Sequence, residues 1–120
     1  MTDDKKQQYT LKISQASRTQ LVVILYEMTL DYLKEAEDAS GSRDEAAFHT
    51  GIKRARACIH ELIHSLNHEY PVSGNLLQLY LFVDRTLIQA DARKEAALLK
   101  EPEDMVRRLK DAYAVSYTHL

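Results

Sequence analysis

Residues 48–66 read FHTGIKRARACIHELIHSL, and their apolar residues recur at alternating steps of four and three. That spacing places them along one side of an α-helix, because a helix completes a turn about every 3.6 residues. The stripe consists of Phe48, Ile52, Ala55, Ile59, Leu62 and Leu66. The charged residues of the segment lie outside this stripe. The segment therefore predicts an amphipathic helix that buries one face in a core.

Three further helices are predicted around this one. Ser17 and Gln20 form an S-x-x-Q capping box, which predicts a helix from Ser17 to about residue 39. The central helix is expected to span residues 44–68. Ser73 is a candidate N-cap for a third helix that ends near residue 92. Pro102 suits the first turn of a fourth helix that begins near residue 101, and residues 94–100 form either a preceding helical turn or its bent start.

The composition limits the class of protein. The chain has 120 residues, three glycines, two prolines and a formal net charge of −2, so one helical domain is expected and no strong field favours nucleic acid or an anionic membrane. Its single cysteine, Cys58, excludes an internal disulfide. The polar first eight residues do not resemble a signal peptide, and no apolar stretch approaches the roughly 18 residues of a membrane span. We therefore expect a cytoplasmic protein that inserts into no membrane.

The first 16 residues lack helical periodicity but contain Tyr9, Leu11 and Ile13, which alternate with polar residues. This alternation predicts a short extended arm with three apolar anchors. The loops between the four predicted helices are a few residues long, which favours helices that run antiparallel to their neighbours. The expected fold is all-α: an antiparallel up-down four-helix bundle with an extended N-terminal arm.

Two of the predicted helices are more apolar than one core face requires. Residues 21–26 and 76–83 are apolar most of the way round the helix. Either both helices are well buried, or they form a groove that accepts amphipathic helices of a partner. The candidate contact residues lie off the expected core faces: Ile24, Met28, Leu77, Leu81 and Ile88. The three arm residues could occupy part of the same groove in the free protein.

His60-Glu61-Leu62-Ile63-His64 matches the H-E-x-x-H motif of zinc metalloproteases, so a zinc hydrolase is the alternative of a different class. The position of the motif on the helix argues against it. With the stripe inward, both histidines lie on the flank beside Lys53 and Arg56, and Glu61 points to solvent. The chain also has no phosphate-binding glycine loop, G-x-S-x-G or C-x-x-C motif, so no catalysis and no cofactor are expected.

The chain resembles the FliS family of flagellar secretion chaperones from about Tyr9 to Tyr113. The order and spacing of many short matches carry this resemblance. They are Tyr9, Ala16-Ser17, Gln20-Leu21-Val22, Leu25-Tyr26-Glu27, Tyr32-Leu33, Ala36, Ala55, Ile59, Glu61-Leu62, Ser65-Leu66-Asn67, Glu69-Tyr70, Gly74-Asn75-Leu76-Leu77, Leu79-Tyr80, Leu87, Ala90, Leu109 and Ala112-Tyr113.

The resemblance implies a four-helix bundle that binds the C-terminal segment of flagellin as helices wrapped over its surface. This binding would prevent premature polymerisation and assist export through the flagellar type III apparatus, with a component of the export gate as a second partner. It also implies that the arm around Tyr9 covers part of the flagellin-binding surface when flagellin is absent. A self-associating bundle is a further alternative, and the free chain is expected to be a monomer or a weak homodimer.

The last six residues, VSYTHL at 115–120, do not resemble the end of a family member. They correspond to one reading frame of a common transposase sequencing adaptor. We therefore expect residues 115–120 to be a non-native end of the single domain 1–120, and we assign them no function.

Overall fold

The computed structural model describes residues 1–118, with side chains described through Ala114. This part of the chain is all-α: it contains five α-helices and one short 3₁₀ helix, and no strand. The elements are α1 (Asp3–Gln15), α2 (Arg18–Gly41), α3 (Glu45–His64), α4 (Val72–Arg93), the 3₁₀ helix (Ala96–Leu99) and α5 (Lys100–Thr118). None of these helices has the length and apolar character needed to cross a membrane. His119 and Leu120, the end of the segment that we expect to be non-native, lie outside the described residues.

The extended N-terminal arm is a wrong prediction, because residues 3–15 form the helix α1. The side chain of Thr2 caps the helix by accepting a hydrogen bond from the amide of Lys5, at 3.2 Å. Asp3 and Asp4 occupy the first turn, where negative charge is favoured by the helix dipole. The alternation of three apolar residues that predicted an extended arm is too short to distinguish an extended segment from a helix. The backbone becomes extended at Ala16, where α1 ends.

The predicted capping box at the start of α2 is confirmed. The Ser17 hydroxyl accepts from the Gln20 amide at 3.2 Å, and the Gln20 side chain accepts from the Ser17 amide at 2.8 Å. Ser73 is not an N-cap, because α4 begins one residue earlier at Val72. The buried Ser73 hydroxyl instead donates to the carbonyl of Asn67 at 2.6 Å, which ties the start of α4 to the α3–α4 connection.

The helices α2 and α3 pack closely around the predicted stripe. Five of its six residues are buried, and Leu66 packs against the core as a partly buried residue. Gly51 allows this closeness: a Cβ atom built there would lie 3.0 Å from the Ala36 Cβ and 3.0 Å from the Tyr32 carbonyl oxygen. Such contacts are tighter than side chains tolerate without movement, so Gly51 sets the α2–α3 distance.

Antiparallel directions follow from the residue pairs that meet between helices. Tyr26, in the first half of α2, contacts Tyr113 near the end of α5. Between α3 and α4, Arg56 meets Asp84 while the earlier His49 meets the later Asp91. Of the two alternatives predicted for residues 94–100, the structure has the separate helical turn, a 3₁₀ helix that precedes α5. Leu99 of this turn is fully buried.

Candidate partner-binding surfaces

The N-terminal helix lies along α2 and, among the described elements, packs against α2 alone. Its central contact is a 2.5 Å hydrogen bond from the Tyr9 hydroxyl to the carboxylate of Asp31. The ammonium of Lys5 lies 3.1 Å from the same carboxylate. Farther along, Lys12 lies 3.9 Å from Glu27. Positive groups of α1 therefore face negative groups of α2 in antiparallel order.

Tyr9 is the only buried side chain of α1. Its burial, the hydrogen bond to Asp31 and the nearby negative charges raise the pKa of its phenol, so the hydroxyl stays protonated and can donate. Lys12 lies 5.6 Å from the centre of the Tyr9 ring, within the range of a cation–π contact. The helix is thus held by one aromatic anchor and a row of polar contacts.

The other two predicted anchors do not dock. Leu11 is 59% exposed and Ile13 is 41% exposed, so neither occupies a groove. The helical conformation explains the exposure of Leu11, because residues 9 and 11 are about 200° apart around a helix and cannot share a face. Ile13 lies one turn after Tyr9 and is exposed near the end of α1. Of the three predicted arm contacts, the structure buries Tyr9 only.

Ile24 was chosen as a residue off the core face, but it is 7% exposed. It lines a cleft of about 470 Å³ between α1, α2 and the end of α5, together with Lys12 and Ala114. Met28 is also less exposed than expected, because it packs against the core and is partly buried. Both residues lie on the helix that α1 contacts.

The three candidates of α4 remain at the surface. Leu81 is 38% exposed, Ile88 is 43% exposed and Leu77 is partly buried. Steps of four and seven residues place them along one side of α4, interrupted by Asp84. We call these three residues the α4 stripe. Because α1 packs only against α2, the predicted contact residues fall on two separate surfaces and do not form one site.

A third apolar surface, at one end of the molecule, was missed by the sequence analysis. It is a groove of about 320 Å³, which we call the end groove. Its apolar lining residues are Leu21, Val22, Leu25, Leu66, Tyr70, Val72, Leu76, Tyr80 and Tyr113. Tyr70, in the connection between α3 and α4, is 62% exposed, and Val72, the first residue of α4, is 57% exposed. The available sequence signal was the pair of large apolar residues on either side of Pro71, between two predicted helices.

Tyr80 and Tyr113 line the end groove, and Tyr26 is buried beneath them. The hydroxyl groups of Tyr26 and Tyr80 are 2.6 Å apart and form a buried hydrogen bond. The Tyr113 ring meets the Tyr26 ring edge-on, with 5.6 Å between ring centres. Burial raises the pKa of Tyr80 to about 12, against a smaller opposing effect of its hydrogen bond to Tyr26. These phenols are therefore neutral donors and acceptors near neutral pH.

The H-E-x-x-H residues form no metal centre. The Nε2 atom of His60 lies 3.2 Å from a carboxylate oxygen of Asp84, which also accepts from Arg56 at 2.8 Å. Glu61 and His64 are exposed on α3, as predicted from the position of the stripe. Within residues 1–118, no three side chains of ligand type are grouped closely enough to hold a metal ion.

The comparisons with known proteins agree with the resemblance. A family model described as "Flagellar protein FliS" matches residues 1–118. The chain belongs to the FliS family. It is also 26% identical over 101 residues to the protein named "Flagellar secretion chaperone FliS" of Bacillus subtilis (strain 168), a match that covers 84% of this chain and 76% of that protein.

FliS proteins are flagellar secretion chaperones, which bind flagellin for export and are not enzymes. The zinc-hydrolase alternative is therefore rejected, and the H-E-x-x-H match is incidental. Large exposed apolar patches are a common feature of surfaces that bind other proteins.

Proposed function

We propose that this protein is a cytoplasmic chaperone that holds the C-terminal segment of flagellin on a bundle made of α2, α3, α4 and α5. In this arrangement the four helices run antiparallel in up-down order and α1 lies outside them. The observation that carries the proposal is the presence of exposed apolar surface on a helical member of the FliS family. The α4 stripe and the end groove are where we place flagellin.

The α4 stripe suits an amphipathic helix. Leu77, Leu81 and Ile88 recur at helical spacing, so a cargo helix that lies along α4 would cover all three with its own apolar face. A segment that is disordered when free loses conformational entropy as it folds on this surface, and burial of apolar area must exceed that loss. Several contact patches along the molecule serve this purpose better than one.

The role that we propose for α1 is to cover part of the binding surface in the free protein. Its docking rests on Tyr9, on two exposed charged pairs that contribute little each, and on the ammonium of Met1, which pairs with Glu35 just before the helix. Two other apolar residues of α1, Leu11 and Ile13, are exposed. A helix held in this way can be displaced by a cargo helix that buries more apolar area over Ile24 and Val23.

The test of the α4 stripe is binding to a peptide of the flagellin C-terminal segment. Leu77→Asp and Leu81→Asp each place a charge in the stripe, and we expect each to weaken binding by about tenfold or more. Gln78→Asp is the matched control, since Gln78 is an exposed residue of the same helix and its substitution removes no apolar side chain. Circular dichroism verifies that the variants fold. Unchanged binding by both stripe variants would remove α4 from the site.

The test of α1 is removal of residues 1–13. We expect the truncated protein to bind the flagellin peptide more tightly and to be less soluble, because the cleft around Ile24 loses its cover. Equal affinity and equal solubility of the two proteins would exclude a covering role. Light scattering of both proteins tests the alternative that the exposed surfaces serve self-association, for which we expect at most a weak homodimer.

The export-gate component remains a second proposed partner. Binding of a gate component to the chaperone–flagellin complex, compared with the free chaperone, tests this proposal.

A further inference from the structure

The two acidic side chains of α4 are both engaged by α3. Asp84 accepts hydrogen bonds from the Arg56 guanidinium at 2.8 and 3.3 Å, and its side chain is 14% exposed. A carboxylate oxygen of Asp91 lies 2.7 Å from the Nδ1 atom of His49, and the Asp91 side chain is 26% exposed. The negative charge of α4 is therefore directed toward α3 and is only partly accessible to a partner.

The two basic side chains of α4, Arg85 and Arg93, are exposed. Within residues 1–114, neither guanidinium takes part in an ion pair or a hydrogen bond. Arg93 lies in the last turn of α4, where the helix dipole favours a positive charge. Arg85 lies in the middle of the helix, and the residues one turn before and after it are not acidic. Those residues are Leu81, Phe82, Ile88 and Gln89.

Arg85 borders the α4 stripe. It follows Leu81 by four residues and precedes Ile88 by three, so it is a surface neighbour of both. Asp84 borders the stripe on the α3 side, where Arg56 engages its charge. The exposed apolar residues of α4 are thus flanked by a compensated carboxylate on one side and by an unpaired guanidinium on the other.

We propose that the α4 stripe accepts a flagellin helix with a carboxylate at the edge of its apolar face, and that Arg85 binds this carboxylate. The inference rests on the proposed function, in which flagellin occupies the stripe. A guanidinium presents a fork of N–H donors that matches the two oxygens of a carboxylate. A helix that covers Leu81 and Ile88 also excludes water beside Arg85, so a basic residue at this position is repelled. Arg85 thereby determines which helix binds and in which register.

Calorimetric titration with a peptide of the flagellin C-terminal segment tests the proposal. We expect Arg85→Gln to weaken binding about fivefold, because the ion pair is lost at a partly exposed site. Arg85→Glu should weaken binding by about tenfold or more, since two like charges then meet. The affinity of the wild-type protein should fall between about 0.05 M and about 1 M salt, and that of Arg85→Gln should fall less.

Arg93→Gln is the matched control, because it removes the same charge from an exposed position of the same helix. Arg93 lies five residues after Ile88, about 140° around the helix, and so does not border the stripe. Its substitution should leave the affinity and its salt dependence at the wild-type values. Equal affinity and equal salt dependence of Arg85→Gln and Arg93→Gln would overturn the proposal.

A charge exchange identifies the carboxylate. Each acidic residue of the peptide is replaced in turn by lysine, and one of these peptides should bind Arg85→Glu more tightly than the unchanged peptide does. If no peptide does so, the proposal is wrong even where Arg85→Gln binds weakly. The Leu77→Asp and Leu81→Asp variants separate the two proposals. Weak binding by these variants together with wild-type binding by Arg85→Gln would overturn the role of Arg85 alone, and unchanged binding by both would overturn the site as well.

Discussion

The hydroxyl of Tyr9 donates a 2.5 Å hydrogen bond to the carboxylate of Asp31, and this contact anchors α1 to α2. Tyr9 is buried, whereas most of α1 around it is exposed. Tyr9 is thus the one buried anchor of a 13-residue helix whose other contacts with α2 are ion pairs.

Replacing Tyr9 by phenylalanine should loosen α1 without unfolding the rest of the chain. The ring remains buried, but the hydrogen bond to a charged acceptor is lost, which costs about 1.5 kcal/mol. We expect amide hydrogen exchange in α1 to accelerate roughly tenfold, because a loss of about 1.4 kcal/mol is a factor of ten in an opening equilibrium. Tyr70→Phe is the control, since Tyr70 is 62% exposed and has no role in α1 docking. Unchanged exchange in Tyr9→Phe would contradict this account.

The docking of α1 should weaken as the salt concentration rises. Lys5–Asp31 and Lys12–Glu27 are ion pairs whose lysines are about half exposed, so added salt screens them. We expect limited proteolysis within residues 3–16 to become faster between about 0.05 M and about 1 M salt. Cleavage within α3, whose stripe is apolar, should not follow the same trend. A decrease in the cleavage of α1 at high salt would indicate that apolar contacts dominate.

Gly51→Ala should destabilise the protein. The new methyl group would lie 3.0 Å from both the Ala36 Cβ and the Tyr32 carbonyl oxygen, and two packed helices must separate to admit it. Overpacking of this kind costs about 1–3 kcal/mol, measurable by urea unfolding. Gly74→Ala is the matched control: a Cβ there meets no atom within 4 Å, and alanine stabilises a helix by about 0.5–1 kcal/mol over glycine. Equal effects of the two substitutions would refute the close approach.

Removal of the Tyr26 hydroxyl and removal of the Tyr80 hydroxyl should have non-additive effects on stability, because the two groups form a buried hydrogen bond. Tyr26→Phe leaves the Tyr80 hydroxyl without this partner in a site that is 2% exposed, which costs about 1–3 kcal/mol. Removing both hydroxyl groups leaves no unsatisfied polar atom there, so the double variant should be less destabilised than the sum of the two single variants. Additive effects in the double-mutant cycle would mean that the two hydroxyl groups act independently.

Asp84 should make the α3–α4 contact sensitive to acid. Burial opposes its ionisation, but hydrogen bonds and charges from Arg56 and His60 outweigh burial and hold the pKa of Asp84 below its ordinary value. The stability from this carboxylate is therefore present above its ordinary pKa of 3.8 and is lost as pH falls through the lower folded-state value. The Asp84→Asn variant should be less stable than the wild-type protein at neutral pH. Its free energy of unfolding should fall less than that of the wild-type protein when the pH is lowered. Parallel stability curves for the two proteins would contradict this assignment.

Much of the helical framework was predictable from local sequence. The capping box of Ser17 and Gln20 marks the start of α2 because its hydrogen bonds join residues three apart. The stripe from Phe48 to Leu66 predicted the buried face of α3, since burial repeats with the helical turn. Ser73 was wrongly predicted to be an N-cap because local sequence does not show which group its hydroxyl binds. The hydroxyl donates to the carbonyl of Asn67, which comes within reach only when the chain turns between α3 and α4.

Tertiary structure decided the surfaces where a partner would bind. The sequence by itself determined that the chain is helical, that two of its helices are more apolar than one core face requires, and that its short matches resemble the FliS family. It did not determine that residues 3–15 form a helix, because that helix is stabilised by Asp31 and other residues far along the chain. Nor did it separate the buried Ile24 from the exposed Leu81 and Ile88. Residues on an all-apolar helix look alike in sequence, and only the neighbours that pack against each face make one side core and leave the other free.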